Sequence, residues 1–405
     1  MLLAAIVIVA LKESGGKISS AQDAVLSRLG PRRLVARWHN VPGFAVDIDP
    51  AEIWRLESDP LVRRVDLDVG GSGSLAQSIP LIGGDKVHAL GYTGRGVTVA
   101  VMDTGVDETH PDLAGRIVGE QCFCFNVDGS GCCPNGQTSQ SGAGAAADDH
   151  GHGSNVAGIV GSRGVVSSVG VAPGVNFVVV KVLDRDNRFQ TVSQVISGLD
   201  WLIDNHPDIS AINMSLGTDA LFPTYCDSAT AYTEILASAI NTLRSRGTLT
   251  VVSSGNDAST NAMEAPACVQ NAISVGAVYD ANVGATSIFG CTDATTTVDQ
   301  IPCFSNSNST LDLLAPGAVI TSDWLHGGLS NFSGTSQAAP HVTGSVAILM
   351  EEQPSLKPDD IEMLLKATGK PIFDRRNGVT TPRVDVFAAV SAALPRHSRH
   401  RAVQH

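Results

Sequence analysis

Three residues of this 405-residue chain have types and surroundings suited to nucleophilic chemistry: Ser336, His152 and Asp103. Ser336 lies in the stretch 331–344, NFSGTSQAAPHVTG, among the small residues Gly334, Thr335, Ala338 and Ala339, and the apolar run 342–350 behind it has helical character. Pro340 is acceptable in a first helical turn, where N–H groups lack intrahelical partners anyway. A serine at such a start stands near unpaired N–H donors and the positive end of the helix dipole, which suits a nucleophile that builds an oxyanion beside it. The plainer use of a serine there is as an N-cap. The run 97–101 is β-branched and small, and ends in Met102-Asp103-Thr104-Gly105, so Asp103 falls at the carboxyl end of a buried-type strand. Open α/β sheets place their sites at that edge. The segment DHGHGSNVAG at 149–158 offers His152 at the mouth of a small-residue helix. A hydroxyl nucleophile needs a base, and the base needs a carboxylate to fix its tautomer and stabilise its charge. The three groups are chemically complementary if the fold brings them together.

The scaffold that could do so is an alternating one. Helix 156–162 precedes strand 176–182, helix 192–205, strand 211–216, helix 229–246 closed by Gly247, and strands 249–253 and 272–278. This order, with apolar strand runs, predicts a doubly wound, mostly parallel α/β sheet covered by helices on both faces. The last long helix is expected to begin at Ser336. Residues 1–69 read as a separate small α+β unit without cysteine. Its elements are strand 6–11, helix 21–29 with Ser20 as cap, an apolar piece 41–48, helix 50–57 and strand 62–67. GGSGS at 70–74 is a flexible linker by composition, and 70–79 separates the two units. Residues 80–394 form the main unit, and 395–405, PRHSRHRAVQH, read as a disordered tail.

Composition narrows the function. The formal charge of −13 argues against nucleic acid or an anionic membrane as the main partner, and 43% hydrophobic residues suffice for a large core. The opening MLLAAIVIVALK is too short to span a bilayer and lacks the basic start of a signal peptide, so it reads as a strand, with any export signal expected upstream. All eight cysteines lie between Cys122 and Cys303, an even number that points to disulfides and an oxidising compartment. A metal is the poorer reading, because Cys122-Phe123-Cys124 and Cys132-Cys133 lack zinc-ligand spacing. The long segment 119–149 is expected to be pinned by bridges among Cys122, Cys124, Cys132 and Cys133; it either borders the site, since it leads into His152, or is a decorative surface insertion.

Taken together, VAVMDTGVDETHPDL, HGSNVAGI, GTSQAAPHVTG and the segment Val251-Val252-Ser253-Ser254-Gly255-Asn256 resemble the subtilisin-family serine proteases, the subtilases, over roughly residues 80–370. The chain order Asp, His, Ser is that of subtilisin. The resemblance implies a secreted serine endopeptidase made as a self-processing zymogen and acting on protein or peptide substrates through an acyl-enzyme, with no cofactor in the chemistry and no membrane or nucleic-acid partner, and expected to be a monomer. It implies Ser336 as nucleophile, His152 as base and Asp103 as its orienting carboxylate, with His150 as the rival base that the motif does not favour. Asn256 becomes the oxyanion donor, and Ser215, Leu216 and Gly217 flank the first specificity pocket. Residues 187–189 match the opposite substrate edge, where Arg188 and Phe189 are bulkier than usual. Asp257 and Glu264 align near the pocket floor, where they would favour basic or polar side chains; as exposed loop acids they would do nothing. Residues 1–69 resemble the family's inhibitory propeptide, cut in the linker, with a permanent accessory domain as the alternative. Calcium is a family habit, but Asp112 lacks its expected asparagine partner in 163–169, so no metal residue is assigned. A catalytically silent fold used for binding, or a dedicated processing protein, stays open.

Overall fold

The structure is a computed structural model in which residues 5–12, 17–30, 33–67, 71–72 and 78–393 are described. Its centre is a ten-stranded sheet. Seven neighbouring strands run parallel in the spatial order Ile117–Phe123, Asn176–Lys181, Thr98–Asp103, Ile209–Met214, Leu249–Ser253, Ile273–Tyr279 and Leu313–Ala318. Ser139–Ser141 closes one edge antiparallel, while Thr380–Arg383 and Lys370–Phe373 extend the other. The doubly wound arrangement follows from the strand residues themselves. In Thr98–Asp103, Val99 and Val101 pack on one face with Val156, Val160, Val342 and Val346 from the helices His152–Gly161 and Thr335–Glu352. Ala100 and Met102 pack on the other face with Val195, Leu199, Ile235 and Leu236 from Val192–Asn205 and Ala231–Ser245. With both faces covered, every strand position can be apolar.

The N-terminal unit is a four-stranded sheet in the order Arg33–Arg37, Gly43–Ile48, Ala5–Leu11 and Val62–Leu67, all antiparallel. Alternation along Ala5–Leu11 decides what each face touches. Val7, Val9 and Leu11 join Val25, Leu29 and Leu56 in a core of the unit's own. Ile8 and Ala10, with Trp38 and Ala45, enter the same cluster as Ile235 and Leu236 of the large unit. Polar contacts fix the register of this packing: Trp38 Nε1 donates to Ser197 Oγ at 3.1 Å, and Asp200 accepts from the His39 and Asn40 N–H groups at 2.6 and 2.7 Å. Asp66 accepts from Ala231 N, the first residue of Ala231–Ser245.

Several expectations need correction. Ser20 lies inside Ile18–Leu29, whose N-cap is Lys17. The strand Arg33–Arg37 was not expected, and 50–57 divides into the 3₁₀ turn Pro50–Glu52 and the helix Ile53–Glu57. The 119–149 segment opens inside a strand of the main sheet and returns to it at Ser139–Ser141. The flexible-linker reading fails for Gly71–Ser72, which form a strand; the rest of 68–77 and the tail 395–405 lie outside the described residues. The cysteines pair as Cys122–Cys133, Cys124–Cys132, Cys226–Cys268 and Cys291–Cys303, with all four expected loop cysteines bridged.

Candidate active site

Three adjacent parallel strands deliver their following residues to one edge of the sheet: Thr98–Asp103 ends in Asp103, Ile209–Met214 leads into Ser215, and Leu249–Ser253 leads into Gly255 and Asn256. The chain turns from one side of the Asp103 strand to the other here, which is where an open sheet leaves a crevice. Helix His152–Gly161 begins at His152 itself, four residues earlier than the sequence suggested. Its start is pressed onto the Asp103 strand: a Cβ on Gly153 would lie 1.9 Å from the Gly105 carbonyl, so this approach requires glycine.

His152 Nδ1 and Asp103 Oδ1 are 2.6 Å apart, and both side chains are fully buried. The carboxylate can only accept, so Nδ1 carries the proton and Nε2 is the basic nitrogen. Among the described residues Nε2 has no hydrogen-bond partner. Thr104 N also donates to Asp103 Oδ1, at 2.7 Å, which fixes the carboxylate in turn. His150, the rival base, is half-buried and lies edge-on to Trp324, with Nδ1 accepting from His152 N at 3.2 Å. It supports the start of the helix.

Ser336 is the second residue of Thr335–Glu352 and is buried. Its hydroxyl donates to the Ser215 carbonyl at 3.2 Å. Pro340 is the sixth residue of the helix, in its second turn rather than its first. A proline there offers no N–H to the carbonyl four residues back, which is that of Ser336. Ser215 fills the gap: its Oγ donates to Ser336 O at 2.5 Å and in turn accepts from Asn213 Nδ2 at 2.8 Å. Asn256 is anchored to the same helix start, since Thr335 N donates to its Oδ1 at 2.8 Å. Sequence reasoning missed Thr335 as this anchor and gave Pro340 no role; the spacing of Ser336 and Pro340 was the available signal for the second.

The two segments expected to flank a substrate meet in one small sheet. Gly71–Ser72 pair antiparallel with Gly217–Thr218 on one side and with Arg188–Phe189 on the other. The bulk of Arg188 and Phe189 does not obstruct this edge, because Phe189 is buried below it and Arg188 is exposed, 3.6 Å from Asp219. Leu216 is buried behind Gly217. Asp257 is an exposed acid as the duller expectation had it, but Glu264 is not: it is half-buried against Gly217 and Gly255.

The sequence model described as "Subtilase family" matches residues 94–383, most of the chain. The chain belongs to the subtilase family. This subtilase is 31% identical over 370 residues to subtilisin E of Bacillus subtilis, covering 89% of this chain and 84% of that protein. It is 32% identical to an extracellular serine proteinase of Thermus sp. (strain Rt41A), covering 85% of this chain and 75% of the relative. It is 31% identical to alkaline serine exoprotease A of Vibrio alginolyticus, where the match covers 84% of this chain and 58% of the relative's length. A solved structure described as a cold adapted subtilisin-like serine proteinase aligns with TM-score 0.53 at 30% identity, over 72% of this chain and 89% of that one. The subtilase is thus a serine-type endopeptidase, of a family whose chemistry needs no cofactor.

Two side-chain clusters have metal-ligand types, His39–Asp200–Asp204 and His110–Asp112–Asp323. The Asp112 carboxylate, the residue aligned with a calcium ligand, accepts from the N–H groups of Val165, Val166 and Ser167 at 2.5, 2.8 and 3.0 Å. Those three donors stabilise its ionised form, and they hold its carboxyl below the ordinary range against the opposing effect of burial. Among the described residues no helix is long and apolar enough to cross a membrane.

Proposed function

We propose that this subtilase is a secreted endopeptidase made as a latent precursor, with Asp103, His152 and Ser336 hydrolysing peptide bonds through an acyl-enzyme. The observation that carries the proposal is the buried 2.6 Å contact between His152 Nδ1 and Asp103, which leaves Nε2 as the site's base. In the reaction the Ser336 hydroxyl turns from the Ser215 carbonyl to Nε2, loses its proton there and attacks the peptide carbonyl. The imidazolium is stabilised by Asp103 and passes the proton to the leaving amine. Asn256 Nδ2 and the Ser336 N–H receive the oxyanion; loss of the asparagine donor should cost about 10²–10³ in turnover, the size known for the corresponding subtilisin donor. Water then repeats the sequence on the acyl-enzyme.

Residues 1–69 serve in this proposal as the inhibitory propeptide, released by a cut within 70–79. The support is the strand Gly71–Ser72, seated between the two edges where an extended substrate would lie. Four disulfides and a relative named as an extracellular serine proteinase support secretion. The test is covalent labelling of the matured protein by a fluorophosphonate, with peptide hydrolysis measured alongside. Labelling and hydrolysis should both vanish in Ser336→Ala, and His152→Ala should lower hydrolysis by about 10⁴–10⁶. A matured wild-type protein that neither labels nor cleaves would identify a silent fold instead.

A further inference from the structure

We infer that Glu264, assisted by Asp257, makes the pocket beside the reacting atoms an acidic subsite, so that this protease cuts after lysine or arginine. The inference rests on the endopeptidase reading above. The strand Gly71–Ser72 marks the line of an extended peptide along Gly217, and Asn256 marks the position of the reacting carbonyl. Between these markers stands one carboxylate. A Cβ on Gly217 would lie 1.6 Å from Glu264 Oε2, and a Cβ on Gly255 would lie 2.5 Å from Oε1. The Glu264 carboxylate therefore lies directly against the backbone of both Gly217 and Gly255. The residue of a substrate that precedes the scissile bond must project its side chain toward this group.

Glu264 is held firmly enough to discriminate. The Asn256 backbone N–H donates to its carboxylate, its own N–H donates to Ser254 O at 3.1 Å, and it pairs with Leu221 across the short sheet Leu221–Phe222 and Met263–Glu264. The bridge Cys226–Cys268 closes the same region, with Cys268 N donating to Glu264 O at 3.1 Å. The surroundings are acidic and lack a cation. Asp257 hydrogen-bonds to Glu264 and repels its charge, and Asp219 adds to that repulsion. Among the described residues neither Asp257 nor Glu264 takes part in an ion pair; Arg188, across the cleft, lies against Asp219. Burial, then the Asp257 carboxylate, holds the Glu264 carboxyl well above the ordinary range, so the pair lacks the cation that would favour its charged form. A guanidinium or ammonium group entering beside the two acids supplies that positive charge.

The test uses the matured protein and fluorogenic peptides that differ only in the residue before the scissile bond: Arg, Lys, Phe, Leu or Ala. Arg and Lys peptides should give the highest kcat/KM. Glu264→Gln should lower the Arg-to-Phe ratio roughly 10- to 100-fold, as expected for loss of a hydrogen bond to a charged group, and mainly through KM. Asp257→Asn should lower it less. Because the ratio is taken within each variant, any disturbance of Asn256 cancels. A wild-type preference for Phe, Leu or Ala overturns the inference, as does an unchanged ratio in Glu264→Gln. Fluorophosphonate labelling of each sample separates the two levels: a labelled enzyme with the wrong preference defeats the acidic subsite alone, and an unlabelled wild type defeats both.

Discussion

At the scale of single residues, the site depends on groups that complete one another's hydrogen bonding. Pro340 deprives Ser336 of the helical partner for its carbonyl, and the Ser215 hydroxyl replaces it. Ser215→Ala should therefore leave a buried carbonyl unsatisfied. It should cost about 1–3 kcal/mol in thermal unfolding and lower kcat with little change in KM, because it loosens the nucleophile rather than the substrate edge. Unchanged stability would mean that this hydroxyl is not what holds the turn. Residue types and local spacing drew attention to Asp103, His152 and Ser336, because each sits beside small residues at the end of a regular element, whereas Asn256 entered only through the resemblance to the subtilases. The Ser215–Ser336 link was not legible in that way. It joins positions 121 apart in the chain, and no local pattern encodes such a contact.

At the scale of elements, the hairpin of Ile320–Trp324 and Gly328–Phe332 clamps the His152 helix. Ser322 Oγ donates to Asn155 O at 2.9 Å, and the Trp324 ring fills the space where a Cβ on Gly151 would stand, 2.7 Å away. Asp323 is buried against Gly158 of the same helix and faces His110 at 3.6 Å, with Asp112 and Arg116 nearby. Burial pushes its carboxyl from 3.8 up to about 7. The fold then holds a proton that the unfolded chain has already released, so this group's contribution to stability falls as pH rises from about 4 to 7. Asp323→Asn should gain stability relative to wild type above pH 7 and converge with it below pH 4, in thermal melts across that range. Equal melting differences at both ends would show that Asp323 is neutralised in some other way. The hairpin was invisible in the sequence, as was the strand Leu313–Ala318. The first is polar and short, and the second carries Pro316-Gly317, residues that ordinarily punctuate a strand. The strands flanking Asp103 were legible because continuous apolar runs leave few other ways to bury both faces.

At the scale of the whole molecule, the N-terminal unit is bound to the rest by apolar packing and by a few directed contacts. The carboxylate of Asp66 at the start of Ala231–Ser245 satisfies an N–H that the helix cannot, and sits at the positive end of its dipole. If the unit acts as the proposed propeptide, adding 1–67 in trans to the matured enzyme should inhibit it. Asp66→Ala should weaken that inhibition by about 1–2 kcal/mol, roughly 5- to 30-fold in inhibition constant. A variant of equal potency would assign the affinity to the apolar face instead. The doubly wound class was legible from alternation alone. The docking of the small unit was not, since Ile8 and Val9 look alike in sequence and differ only in the face they turn outward.

The four bridges share a property that bears on the fate of the proposed precursor. Their ring spans are 8, 11, 12 and 42 residues, all between positions 122 and 303. None of these rings encloses the junction at 70–79. A single backbone scission there leaves two pieces with no covalent tie, so an unreduced gel would resolve them as separate bands, and the larger piece would keep its staples through the parting.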